Sequence, residues 1–210
     1  MMMKMEEDTR YQKAIQRNIN SIVYALWEWK TIEAFEQYVK GKRIEVLGSN
    51  FFEIMPKAFF GDMLRNTINV LNKHKDVASF WYILEKGEIK SLRTYSEQKN
   101  ILLEDLAEKL EHVRNKVFFH HDKNGILDTE RIWKKANIKG KDVGEAIQYL
   151  FSILKELYEK VIQKQYLYCP DDSIGKNFIK LLDIAAENGF IDVCPENFTN
   201  SERIPETPMR

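Results

Sequence analysis

Apolar positions recur every three or four residues along most of this chain, a period that predicts helices rather than strands. The longest pattern covers residues 8–40, with Ile15, Ile19, Ile22, Leu26 and Trp29 on one face and Gly41 where a helix C-terminus takes glycine. A second helix is predicted from near Pro56 to near His74, on the stripe Phe60, Leu64, Ile68 and Leu71. Residues 79–84 read as a short helix closed by Gly87. The fourth helix starts at Thr94 and Glu97, the spacing of a capping box, and carries Leu102, Leu106, Leu110, Val113 and Val117 before Gly125 stops it. A short helix over 129–136 and a loop around Gly140 follow. A long helix over 142–165 then carries Ile147, Leu150, Leu154, Leu157 and Val161. Beyond Pro170, Ile174, Phe178, Leu181 and Ala185 mark a last helix that Gly189 closes, and no stripe follows Phe190. The predicted fold is all-α, a bundle of three to four long helices with short connecting helices. The bundle occupies residues 8–168; residues 169–210 hold a helix at about 173–188 and an irregular tail.

Composition narrows this reading little, because it agrees with it. Nine glycines and five prolines in 210 residues leave few turns, which disfavours collagenous, disordered and many-stranded chains. Lys and Arg number 32 and Asp and Glu 32, so no global field draws nucleic acid or an anionic membrane. The longest apolar run, Ile22 to Trp27, is six residues, far below the roughly 20 of a membrane span. The opening MMMKMEEDTR turns acidic before any apolar stretch, unlike a secretory signal. Cys169 and Cys194 read as reduced thiols of a cytoplasmic protein. With no CxxC and no HExxH, neither a metal nor a cofactor is expected.

Most candidate sites have a plainer explanation. Ser173-Ile174-Gly175-Lys176 lacks the upstream glycine and the preceding strand of a phosphate loop. Glu108 and His112, four apart, read as a solvated pair rather than half a metal site. His74 suits a helix C-terminus, and Trp29 belongs to the core stripe.

The end of the fourth helix differs. Arg114, Asn115, His120, His121 and Asp122 gather there. An arginine fork suits phosphate, and histidine exchanges protons near neutral pH. Those are sufficient parts for cutting RNA without metal: a base takes the ribose 2′-OH proton, the oxygen attacks phosphorus, and a cation steadies the developing charge. From Arg114 to Lys141 eight Lys/Arg face three acids, a local basic surface that includes Lys116, Lys123, Lys134 and Lys135 and suits RNA phosphates. Lys134 and Lys135 also suit a nucleotide or other small anion. At about 100° per residue His121 falls about 20° from Arg114 around a regular helix, whereas His120 falls about 120° away and continues the apolar stripe.

Arg114-Asn115 followed by His120 resembles the signature of the HEPN superfamily: an arginine, a polar residue, and a histidine after four to six positions. The string RNKVFFHHDK is similar to the branch found in phage-defence, abortive-infection systems, whose members typically read Arg-Asn-Lys-x-x-Ala-His-x-Asp-Lys. That alignment selects His120, matches Asp122 and Lys123, and puts Phe119 in place of alanine. Asn50-Phe51-Phe52 and residues 76–84 add to a likeness covering roughly residues 10–165. The resemblance implies an all-helical homodimer with two Arg/His motifs facing across a cleft. It implies metal-independent endoribonuclease activity leaving a 2′,3′-cyclic phosphate. A toxin-like or antiphage role, often with an antitoxin partner, is implied as well. Many members are not nucleases, and the alternative reading is a non-catalytic helical dimerisation or protein-interaction module in a defence or toxin–antitoxin system. Arg114 would then join the histidines in a buried network at a dimer interface.

Overall fold

The computed structural model describes residues 2–40, 42–45, 51–115, 129–168, 173–189 and 192–195. Among them are seven helices: α1 (Met2–Val39), α2 (Phe51–Val70), α3 (Phe80–Glu85), α4 (Glu97–Val113), α5 (Thr129–Ala136), α6 (Gly140–Ile162) and α7 (Ser173–Glu187). A short ribbon joins them, with β1 (Lys42–Glu45) antiparallel to β2 (Asp192–Pro195) and Arg43 opposite Cys194. The ribbon departs from a purely helical fold. Its strands are four residues each and far apart in sequence, so no local period announces them. None of the described helices is long and apolar enough to cross a membrane.

The chain divides into two compact units. One comprises Met1–Trp29 with Phe59–Asp171, the other Lys30–Ala58 with Asp172–Arg210. The division falls inside α1 and α2 as well as beside Pro170.

In the first unit the predicted stripe of α1 is buried throughout, Ile15, Ile19 and Ile22 completely. Met63 and Leu64 of α2, Phe80 and Ile83 of α3, and Ile147, Leu150 and Leu154 of α6 are buried as well. Asn18 is also buried, and its amide donates to the carbonyls of Ala14 at 2.8 Å and Ala78 at 2.7 Å, fixing the approach to α3. After α6, whose C-cap Gln163 is in the left-handed region, Tyr166 packs beside Phe151 and Tyr158. In the second unit Tyr38 of α1 and Leu182 of α7 form the core, with Phe35 and Phe178 against them. Gly175 belongs to that packing: a Cβ there would meet the Ala34 methyl at 3.0 Å, so the glycine of the Ser-Ile-Gly-Lys string admits a close helix approach.

Several boundaries move. α2 begins at Phe51, leaving Pro56 inside the helix without an N–H for the carbonyl of Phe52. α6 starts at Gly140 and ends three residues before Gln165. α4 starts at Glu97, and its cap is Ser96, whose hydroxyl accepts from the Lys99 N–H at 3.3 Å; Thr94 and Glu97 form no capping box. The buried stripe of α4 is Leu103, Leu106, Leu110 and Val113, while Leu102 is 63% exposed. Leu181 is likewise 63% exposed and Leu182 takes its place. Adjacent leucines leave the choice of face to tertiary packing.

What displaces the cap is Glu156 on α6. Its two carboxylate oxygens accept the backbone N–H groups of Arg93 at 2.9 Å and Thr94 at 3.0 Å, while the Ser96 N–H donates to the Tyr149 hydroxyl at 3.0 Å. Burial alone raises the Glu156 pKa, but the donors at Arg93 and Thr94 outweigh it and hold the carboxyl below its ordinary value. A depressed carboxylate contributes stability above its unfolded pKa and loses it as pH falls through the folded one. Glu156→Gln is therefore expected to weaken the fold near neutral pH and to flatten the acid limb. Urea midpoints between about pH 7 and about pH 3 should converge for variant and parent at the acid end.

Candidate functional site

The buried residues Leu110 and Val113 fix how α4 meets its neighbours and so present Arg114 at the helix end. The Arg114 N–H is shared between the carbonyls of Leu110 and Glu111. At Arg114 and Asn115 the helix widens into a π turn, in which hydrogen bonds span five residues instead of four.

Within this turn the guanidinium is held from two sides. Nε donates to Oδ1 of Asn115 at 3.1 Å, and Nη2 lies 3.5 Å from Oε1 of Glu111. The side chain of Arg114 is 23% exposed and that of Glu111 52%, so their attraction is partly screened by water. Asn115 therefore contacts the arginine itself. The guanidinium lines a narrow cleft with Ile68, Leu71 and Lys73 from the end of α2 and its following turn. Lys73 adds a second cation, paired with Glu108 at 3.2 Å and 5.5 Å from the Trp81 ring centre.

The structure brings Arg114 and Asn115 together from the predicted site. Lys116, His120, His121, Asp122 and Lys123 lie outside the described residues. Lys134 and Lys135 are exposed in the last turn of α5, where cations suit the helix C-terminus, and α5 packs on α4. Glu108 pairs with Lys73, and His74 lies 3.7 Å from Asp76. Among the described residues no three His, Cys, Asp or Glu side chains gather as metal ligands. Sequence reasoning missed two members of the cleft. Glu111 stands three residues before Arg114, a spacing that brings helix side chains together and could have been read. Lys73 comes from the segment after α2 and carries no local signal.

No protein-family model matches the chain, and no curated protein or solved structure is similar to it.

Proposed function

We propose that the chain is a metal-independent endoribonuclease of the HEPN toxin or antiphage type, acting as a homodimer with two motifs across one cleft. Arg114 binds the scissile phosphate and stabilises charge on its oxygens in the transition state. The histidine takes the 2′-OH proton; the 2′-oxygen bonds to phosphorus as the 5′-oxygen leaves, accepting a proton from the resulting imidazolium. The products are a 2′,3′-cyclic phosphate and a 5′-hydroxyl. Lys116, Lys123, Lys134 and Lys135 hold flanking phosphates, and Asp122 orients a histidine or holds the helix end. An antitoxin partner would restrain the activity.

The observation carrying this reading is the Asn115–Arg114 contact: the amide accepts from Nε and orients the guanidinium fork, the group suited to a phosphate. The ion pair with Glu111 favours a second reading, in which Arg114 is a structural element of an interaction module.

The histidine variants distinguish them. Family likeness places the general base at His120, so His120→Ala should lower cleavage about a hundredfold or more and His121→Ala by less than about tenfold. Gel analysis of end-labelled RNA in EDTA measures both. The reverse order moves the base to His121, and no cleavage by the parent leaves the interaction module.

A further inference from the structure

Along the seam of α4 and α6 lies a groove of about 620 Å³ that takes no part in the proposed RNA site. The segment leading into α4 is tied to Glu156 and Tyr149 of α6, and Lys109 near the end of α4 shares the groove with Asp142 in the first turn of α6, so the helices run antiparallel. One wall presents Lys99, Leu102, Leu106 and Lys109, spaced three, four and three along α4. The other presents Asp142, Glu145, Tyr149 and Ser152, with the same spacing along α6. Ten residues of α4 span about 15 Å, nearly three helical turns.

Between the charged positions the lining is apolar, with Leu102, Leu103, Leu106 and Ala146. Leu102 is 63% exposed, in a helix whose other leucines are buried. The charges of the two walls differ. On α4 the cations are already engaged: Lys109 is 2.6 Å from Asp105, and Lys99 lies over the Tyr149 ring at 5.1 Å. On α6 Asp142 and Glu145 are exposed, with Lys141 at a loose 3.6 Å from Glu145. The unfilled demand is for apolar side chains at helical spacing with cations along one flank.

We infer that this groove takes an amphipathic helix from a partner protein, its apolar face over Leu102 and Leu106 and a basic flank against Asp142 and Glu145. A third helix laid between two antiparallel ones completes a three-helix packing unit. The acidic wall selects the partner's flank and sets its direction along the groove. The groove shares no residue with the proposed RNA site, so either reading can fail alone.

The test uses the full chain and three stapled, fluorescent peptides of about 14 residues. One is an amphipathic Leu/Lys helix, the second its Leu/Glu counterpart, and the third the Leu/Lys composition in scrambled order. Anisotropy should show the Leu/Lys helix binding about tenfold tighter than either control. Leu102→Asp, at an exposed position that does not threaten folding, should weaken it about tenfold. Asp142→Asn with Glu145→Gln should erase the preference for Lys over Glu while keeping apolar binding. Equal affinity for all three peptides, or binding indifferent to Leu102→Asp, overturns the proposal. So does sedimentation showing a dimer of this chain that Leu102→Asp dissociates, because a second copy then fills the groove.

Discussion

Replacing Arg114 by alanine is expected to lower RNA cleavage in EDTA by about a hundred- to a thousandfold, the effect of removing one preorganised donor from a transition-state oxyanion. Arg114→Lys keeps the charge and loses the fork that Asn115 orients, so it should recover only part of that loss. Glu111→Gln makes the opposite prediction. The carboxylate 3.5 Å from Nη2 competes with phosphate for the guanidinium, and neutralising it should tighten RNA binding severalfold. That pair is half exposed, which limits the gain to a modest one. If Arg114 serves only the fold, Arg114→Ala and Glu111→Gln should instead both shift the urea midpoint and neither should change RNA binding.

The largest expected change in stability lies at Gly144. A Cβ at this position would sit 2.4 Å from Cε2 of Trp29 and 2.5 Å from Cζ2, inside van der Waals contact with a rigid ring. Helix propensity alone would favour alanine by about 1 kcal/mol. Overpacking of this kind costs about 3 kcal/mol, so Gly144→Ala should destabilise by about 2 kcal/mol net. Gly61, inside α2, is the control: an added Cβ meets nothing within 4 Å, and alanine there should stabilise by up to about 1 kcal/mol. Urea denaturation measures both, and the signs must differ. Trp29→Phe removes the crowded edge of the indole, together with an Nε1–H that is buried without a partner, and should rescue Gly144→Ala.

How far the sequence announced this molecule follows from the range of the forces involved. The stripe of α1, the ends of α5 and the apolar face of α6 are set by spacing within one helix, and they stand as the period predicts. Leu102 against Leu103, Leu181 against Leu182, and Thr94 against Ser96 are choices between neighbours that only packing resolves. Glu156, more than 60 residues from Arg93, made one of those choices. The β ribbon joins residues 42–45 to 192–195 and was beyond any local pattern. At the site, Arg114 with Asn115 was legible because both lie on one turn. The π turn was not. The groove between α4 and α6 has no linear signature, since each wall alone reads as an ordinary amphipathic helix.

In the proposed mechanism Arg114 and its histidine cut RNA without metal. The most direct test is the chemistry of the cut ends when purified protein meets single-stranded RNA in excess EDTA. Fragments ending in a 2′,3′-cyclic phosphate, identified by mass, are expected from the parent and not from Arg114→Ala. Intact RNA with the parent, fragments bearing a 5′-phosphate, or equal cleavage by Arg114→Ala would contradict it.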